Sequence, residues 1–150
     1  MSRPALLDVN LLVALFDADH PHHETAHDWF ADSHAKGWAT CALTQNGLLR
    51  ILANPRYGAT INRPADLLKH LTQFCASKHH VFWADSLSLT DRNIFNPSLI
   101  QGHRQLTDIY LLGLAKKMGG SLATFDSGIP LSAVIGATRD TLSVIAASAE

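Results

Sequence analysis

The sequence predicts an α/β fold in which a parallel sheet of four to five strands carries helices on both faces. Short apolar runs alternate along the chain with segments of helical periodicity, and no long linker, repeat or low-complexity stretch interrupts them. The 150 residues are 47% apolar and 17% charged. This composition suits one folded domain over residues 1–150 and excludes a disordered chain.

The first quarter of the chain predicts two strands with two helices between them. The first strand is predicted over residues 4–8, because the run is short and nearly all apolar, as in buried parallel strands. Residues 11–16 and about 22–34 then show helical periodicity, and Gly37 ends the second of these helices. A second strand follows over residues 38–41.

The middle of the chain predicts two further helices and a third strand. Thr44 is a suitable N-cap for a helix over residues 44–52, and Pro55 prevents this helix from continuing. Another helix is predicted over residues 62–76, with a proline early in it, where the missing N–H costs little. Residues 80–83 form the third predicted strand.

The last third predicts one long helix and two strands. Thr107 is expected to cap a helix that runs to Met118 and is closed by two glycines. A fourth strand over residues 121–125 ends at Asp126, and a weak fifth strand is predicted near residues 141–144. Strands separated by helices in this manner form βαβ units, which is why the sheet is predicted to be parallel.

Acidic and basic residues are segregated, although the net charge is only −1. Residues 1–47 hold six acidic and two basic residues, whereas residues 48–105 hold seven basic and three acidic ones. The overall balance excludes a protein that grips nucleic acid by bulk positive charge. The segregation is compatible with a phosphate backbone beside a carboxylate site, and equally with an ordinary mixed surface.

The sequence shows no feature of an exported or membrane protein. The longest apolar run, residues 11–16, is far shorter than the roughly 20 residues of a membrane-spanning helix, and no signal-peptide pattern precedes the fold. Cys41 and Cys75 are typical of small core residues in a reducing compartment rather than of a disulfide framework. We therefore expect a soluble, cytoplasmic protein.

Three aspartates are expected at the carboxyl edge of the sheet, where ligands of open parallel sheets gather. Asp8 follows the first strand, Asp126 follows the fourth, and Asp108 lies in the first turn of the preceding helix, on its apolar face. Gln45 has the same placement on another helix. Clustered carboxylates, with Asn10 as a neighbouring oxygen donor, suit Mg²⁺ or Mn²⁺ rather than zinc. Taken singly, the same aspartates also suit a helix cap, a helix dipole and an Asx turn.

Other kinds of site are not indicated. There is no G-x-G-x-x-G after a strand, no phosphate-binding G-x-x-x-x-G-K-[ST] and no G-x-S-x-G elbow, so neither a nucleotide cofactor nor that class of serine hydrolase is predicted. Four histidines cluster at positions 20, 22, 23 and 27. His23 and His27 are one helical turn apart and could bind zinc, but no further ligands are evident. A polar first turn of a helix is the simpler interpretation.

Four blocks of the sequence resemble the PIN-domain nucleases, and most closely the VapC-type toxins of bacterial toxin–antitoxin pairs. The blocks are LLDVNLL at residues 6–12, LTQNGLLR at 43–50, LTDIYLL at 106–112 and ATFD at 123–126. They follow one another in the order and at the spacing of that family. The resemblance extends from residue 6 to about residue 126 and implies a PIN-like fold.

The resemblance also implies an activity and partners. It implies an endoribonuclease that hydrolyses RNA phosphodiester bonds with Mg²⁺ or Mn²⁺, with Asp8, Asp108 and Asp126 as the metal-binding acids. It implies a homodimer that is neutralised by a VapB-like antitoxin. The family usually has a glutamate early in the helix that starts near Thr44. This chain has Gln45 there, which offers a neutral oxygen and no charge.

In the resulting hypothesis the ion activates a water molecule and stabilises charge on the scissile phosphate. Three neutral polar side chains are expected to orient ligands or water: Asn10, Gln45 and Asn46. Three further side chains are expected to contact the RNA: Arg50, His103 and Arg104.

Two other functions stay open. Gln45 supports a PIN-like module that binds RNA or an antitoxin without cutting, unless Asp85 or Asp91 replaces the missing acid, although their spacing does not place them in the cleft. Metal-dependent cleavage of RNA separates this module from the nuclease. Asp8 after the first strand also resembles the nucleophile of haloacid-dehalogenase phosphohydrolases, but Asn10 stands where their second aspartate lies. Turnover of a small phosphomonoester tests that third possibility.

Overall fold

The computed structural model describes residues 3–146 and contains a five-stranded parallel sheet. The strands and α-helices of this part follow one another as β1 (Ala5–Leu7), α1 (Val9–Phe16), α2 (His23–Ser33), β2 (Trp38–Cys41), α3 (Ala42–Ala53), α4 (Pro64–Cys75), β3 (His80–Trp83), α5 (Leu106–Lys117), β4 (Ser121–Thr124) and β5 (Leu142–Val144). Their order across the sheet is β3-β2-β1-β4-β5. β2 and β3 therefore lie on one side of β1, and β4 and β5 lie on the other. The strand order reverses between β1 and β4, and the crevice beyond the ends of these two strands is the usual place for a ligand.

Helices cover both faces of the sheet, as predicted. Alternate residues of a strand point to opposite faces, and the buried residues divide accordingly into two clusters. Leu7 and Trp38 belong to the cluster that packs on α1, α2, α3 and α4. Leu6 and Ala39 belong to the cluster that packs on α5. A carboxylate at the end of a strand is thus placed over one face or the other by the pleat.

Most predicted elements are confirmed, including β2 and β3 at their predicted bounds and the weak fifth strand as β5. The predicted strand over residues 4–8 is shorter, because Asp8 caps α1 and the helix begins directly after it. The predicted helix over residues 22–34 corresponds to α2, followed by one turn of 3-10 helix over His34–Lys36. Gly37 then adopts a φ of +98°, a conformation that favours glycine.

The predicted N-caps of α3 and α5 are wrong. Cys41 precedes α3, and Thr44 lies inside its first turn, where its hydroxyl accepts a hydrogen bond from the Cys41 N–H at 3.0 Å. Gln105 precedes α5, and Thr107 is the second residue of that helix. Threonine stabilises a helix start from inside the first turn as well as from the cap, so its presence located each start only to within two or three residues.

The long connection between β3 and α5 has little regular structure, yet it is part of the core. Phe95 is fully buried and pairs with Val134 through an isolated antiparallel bridge. Gly113 of α5 leaves room for the Phe95 ring, because a Cβ at this position would lie 2.5 Å from it. The connection is thereby packed against the α5 face of the sheet.

The histidines of α2 have a structural role. The Nδ1 atom of His23 lies 2.7 Å from the Ala14 carbonyl, and the Nε2 atom of His27 lies 3.2 Å from the Leu15 carbonyl. Ring nitrogens can therefore donate to carbonyls in the last turn of α1. Within residues 3–146 no group of three metal-ligating side chains forms around them. The two contacts with α1 fit the interpretation as a polar first turn.

Two remaining expectations concern cysteines and membranes. Cys41 is buried and Cys75 half-buried, and both are free thiols. Among residues 3–146, none of the helices has the length and apolar character needed to cross a bilayer.

Candidate functional site

Asp8 stands where β1 ends and α1 begins. Its backbone N–H donates to the Ala123 carbonyl of β4 at 3.0 Å, so the chain is still held to the neighbouring strand at this residue. Its carboxylate accepts two hydrogen bonds of 2.7 Å, at Oδ1 from the Val9 N–H and at Oδ2 from the Thr124 hydroxyl. Only 4% of Asp8 is exposed. Asp8 therefore caps a helix and is at the same time a buried carboxylate at the crevice between β1 and β4.

Asp126 lies two residues beyond β4 and is exposed. Its Oδ1 accepts from the Gly128 N–H at 2.7 Å, which is the Asx turn expected from the sequence. Its backbone N–H donates to the Thr124 hydroxyl at 3.1 Å. Thr124 thus connects Asp126 with Asp8, because the same hydroxyl donates to the Asp8 carboxylate.

Asp108 is the third residue of α5 and is half-buried. Within residues 3–146 its carboxylate makes no hydrogen bond. Its pKa is raised to about 6, first because burial disfavours the charged form and then because of the negative charges of Asp8 and Asp126. The pKa of Asp8 is raised as well, mainly by burial, with a smaller contribution from Asp126; the two hydrogen bonds act in the opposite direction.

The three predicted aspartates influence one another electrostatically, because the charge of Asp126 raises the pKa of both Asp8 and Asp108, and the charge of Asp8 raises the pKa of Asp108. Among residues 3–146, no Lys or Arg is one of the charges that shift the pKa of Asp8 or Asp108. We call these three side chains the acidic cluster. Burial and the neighbouring negative charges therefore outweigh the hydrogen bonds that favour the charged form.

The acidic cluster is not a finished metal cage. Within residues 3–146 no three Asp, Glu, His or Cys side chains are arranged closely enough to hold one ion between them. Each aspartate also has the local structural role that its sequence position suggested. Asp8 caps α1, Asp108 is an acidic residue in the first turn of α5, and Asp126 forms an Asx turn. These structural roles are compatible with a role of the same residues in binding a cation.

The predicted neutral side chains lie on the helices that start at this edge. Asn10 is the exposed second residue of α1. Gln45 is half-buried in the first turns of α3, where its Nε2 donates to the Thr40 hydroxyl at 2.9 Å. Asn46 is exposed and lines a neighbouring cavity of about 540 Å³ whose wall also includes Asp85.

Close packing joins the starts of α1 and α3. Gly47 lies against Val9, the residue after Asp8, and a Cβ on Gly47 would meet Val9 Cγ2 at 2.9 Å. A glycine is therefore needed here for the two helices to approach each other. The same contact keeps the first turns of α3, with Gln45, beside the residue that adjoins the acidic cluster.

The predicted RNA contacts are divided between two places. His103 and Arg104 are exposed in a 3-10 turn that leads directly into α5, near Asp108 in sequence. Arg50 is exposed in the last turns of α3, about 12 Å along the helix axis from its start at Ala42. The structure thus places His103 and Arg104 at the end of α5 that carries the acidic cluster, and Arg50 about two turns from the edge.

Asp85 and Asp91 do not supply the missing acid. The Asp85 carboxylate accepts from the Leu43 N–H at 2.9 Å and from the Tyr110 hydroxyl at 2.8 Å. Asp91 accepts from the Asn93 N–H at 2.9 Å. Neither is among the charges that raise the pKa of Asp8 or Asp108. Both bind local donors instead.

Sequence reasoning missed Thr124 and the pair Thr40 and His80. The contact of Thr124 with Asp8 is predictable once β1 and β4 are paired. The parallel register pairs Leu7 with Ala123 and so places the next residues, Asp8 and Thr124, side by side. Thr40 and His80 are joined by a 2.8 Å hydrogen bond between two strands. No sequence pattern predicts that bond, since it depends on the order of the strands in the sheet.

Comparison with known proteins agrees with this architecture. Residues 5–134 match the family model of the PIN domain. The chain is 42% identical over 143 residues to ribonuclease VapC44 of Mycobacterium tuberculosis, covering 94% of this chain and 99% of that protein. It is 43% identical over 125 residues to ribonuclease VapC38 of the same organism, covering 83% and 86%. The crystal structure of M. tuberculosis VapC20, a sarcin–ricin-loop-cleaving toxin, is similar in fold, with a TM-score of 0.59, 15% identity and coverage of 83% and 92%.

Proposed function

Because the chain belongs to the PIN-domain family, we propose that it is a Mg²⁺- or Mn²⁺-dependent endoribonuclease and the toxin of a VapC-type toxin–antitoxin pair. The observation that carries the proposal is the acidic cluster at the crevice where the sheet reverses its order. Carboxylates that repel one another are stabilised by a bound cation. The relatives are named as ribonucleases, which supports cleavage of RNA over binding of RNA or an antitoxin without cleavage.

The donor set fits a hard divalent cation. Carboxylate and amide oxygens suit Mg²⁺ and Mn²⁺, and Mg²⁺ in particular keeps several waters and is commonly held by only one or two carboxylates. A complete cage of three protein ligands is therefore not required. Asp8, Asp108 and Asp126 would hold the ion, directly or through its waters. When bound, such an ion lowers the pKa of water and stabilises charge on a phosphate.

The chain's own side chains divide the remaining tasks. Asp8 is fixed by the Val9 N–H and the Thr124 hydroxyl, so its carboxylate is held rigidly in the crevice. Asp108, with a pKa of about 6, keeps its proton below that pH, and a bound cation would favour its charged form. Asn10, Gln45 and Asn46 would orient water or the phosphate.

The RNA contacts follow from position and charge. His103 and Arg104 precede the α5 turn that carries Asp108, and in this proposal they bind the phosphate backbone. Arg50 lies farther along α3 and would contact a more distant phosphate. We further propose a homodimer, a VapB-like antitoxin as its inhibitor and the cytoplasm as the place of action. The relatives named VapC support the pairing with an antitoxin.

The test compares cleavage of a panel of structured RNAs by the wild type and by Asp108→Asn, with Mg²⁺, Mn²⁺ or a chelator. We expect cleavage that stops with the chelator and falls at least about 100-fold in Asp108→Asn, because that variant lacks one charge of the acidic cluster. Asp66→Asn is the matched control, since Asp66 is an exposed acid in the first turn of another helix, α4. Cleavage that persists with the chelator, or equally in both variants, contradicts the proposal.

A further inference from the structure

A buried chain of hydrogen bonds ends at Gln45. The Gln45 Nε2 lies 2.9 Å from the Thr40 Oγ1, and the same Oγ1 lies 2.8 Å from the Nε2 of His80. Thr40 is fully buried on β2, so each of its hydrogen bonds replaces one that water would otherwise make. His80 is the first residue of β3, and its ring lies against that of Trp38, with 4.6 Å between the ring centres.

The direction of this chain follows from its first bond. The Gln45 amide nitrogen donates to the Thr40 oxygen, so the Thr40 hydroxyl can donate its own proton to a second partner, and the Nε2 of His80 lies 2.8 Å from it. A neutral His80 ring that accepts at Nε2 carries its proton on Nδ1. This arrangement turns the Oε1 of Gln45 away from Thr40 and leaves it for other partners.

We propose that Thr40 and His80 are positioning residues that hold Gln45 with its Oε1 available to the acidic cluster as a neutral oxygen ligand. This inference rests on the proposed function, and it assigns the part that Gln45 takes in place of the usual glutamate. The first turns of α3 already lie beside α1 through the contact of Gly47 with Val9.

Thr40 and His80 together oppose the alternative orientation of the amide. A flipped amide would present its oxygen to Thr40, so that Gln45 and His80 would compete for the single hydroxyl proton of Thr40. In the orientation observed, the amide atom that is turned away from Thr40 is the oxygen, which can bind a cation, and not the nitrogen, which cannot.

The first experiment measures the hydrogen-bond chain without metal. Nitrogen–proton NMR of the wild type should show His80 as the neutral tautomer with its proton on Nδ1; a proton on Nε2 instead overturns the proposal. In Gln45→Glu the carboxylate can only accept, so Thr40 donates to it and its oxygen accepts a proton-bearing Nε2 from His80. The pKa of His80 should then rise by about one unit or more.

A double variant distinguishes an effect transmitted through the Thr40 hydroxyl from a direct electrostatic effect of the new carboxylate on His80. In Thr40→Val combined with Gln45→Glu, the rise in the His80 pKa should be less than half as large. His34 and His79, whose rings contact each other and not Thr40, are internal controls in the same spectra. An equal rise in both backgrounds, or no rise in either, contradicts the proposed chain.

The second experiment measures Mn²⁺ affinity by water-proton relaxation. Thr40→Val keeps the shape of the side chain but removes the hydroxyl, and it should weaken Mn²⁺ binding about 10-fold or more, as expected when the support of a ligand is lost. Thr72→Val is the matched control, because Thr72 is exposed and its hydroxyl bonds only within α4, to the Leu68 carbonyl.

Asp8→Asn distinguishes a failure of the positioning role from a failure of the proposed function. If Asp8→Asn loses Mn²⁺ affinity and Thr40→Val does not, the metal site stands and the positioning role is overturned. If Asp8→Asn binds Mn²⁺ like the wild type, the proposed function itself fails, and with it the ligand role of Gln45. Loss of affinity in both variants, with Thr72→Val unchanged, is the expected result.

Discussion

Two places along the carboxyl edge of the sheet carry an aspartate two residues after a strand, and the two carboxylates are used differently. Asp85, after β3, accepts hydrogen bonds from the start of α3 and from Tyr110 of α5. Asp126, after β4, accepts from its own turn and shares the crevice with Asp8 and Asp108. The first carboxylate joins three elements of the fold. The second adds charge to a place where charge is already unfavourable.

The difference shows why position relative to a strand is not enough to identify a site. Both aspartates occupy equivalent places in the chain, but only Asp126 lies at the crevice where the sheet reverses its order. At β3 the carboxylate has donors, and it stabilises the fold. At β1 and β4 the charge of Asp126 raises the pKa of Asp8 and Asp108, which costs stability unless a cation is bound.

Replacing the two aspartates should have unequal effects on stability. Asp85→Asn places an amide N–H against the Leu43 N–H or the Tyr110 hydroxyl, and we expect it to lower the free energy of unfolding by about 1–2 kcal/mol. Asp126→Asn keeps an oxygen for its turn and removes repulsion, so it should not destabilise. Urea denaturation at pH 7.5 with a chelator measures both. An equal loss in the two variants would remove the distinction between these places.

Asp108→Asn should stabilise the metal-free protein, by a smaller amount and only above a certain pH. The folded-state pKa of about 6 exceeds the ordinary value of 3.8, so the folded state binds more protons between these values and stability falls as the pH rises from about 4 to 6. Asparagine does not titrate, so the variant does not lose stability in this way as the pH rises. The half-buried site is screened by water, so the gain should be about 1 kcal/mol at pH 7.5. It should vanish near pH 4, and a gain of equal size at both pH values would contradict this explanation.

Much of the fold was readable from the sequence because buried parallel strands are short apolar runs between clear helix and turn signals. The PIN-like fold with helices on both faces is confirmed. The helix starts at Thr44 and Thr107 were misplaced, because a threonine that helps begin a helix need not be its cap. The buried connection around Phe95 was missed, because an irregular segment has no periodicity that indicates burial.

The candidate site was predictable to the extent that topology alone determines it. Residues that end parallel strands lie at one edge of the sheet, and this rule is sufficient to bring Asp8 and Asp126 together at the ends of β1 and β4. The hydrogen bonds of Thr40 and His80 depend on which strand lies beside β2 and in what register, and no local pattern encodes that.

The most direct test of the acidic cluster is a carboxyl ¹³C NMR titration of Asp108 in the metal-free protein, repeated in Asp126→Asn. We predict a pKa of about 6 in the wild type and a lower value in the variant, because one of the repelling charges has been removed. A pKa near 3.8 in the wild type, or a raised value that does not change in Asp126→Asn, would show that the aspartates do not share a site.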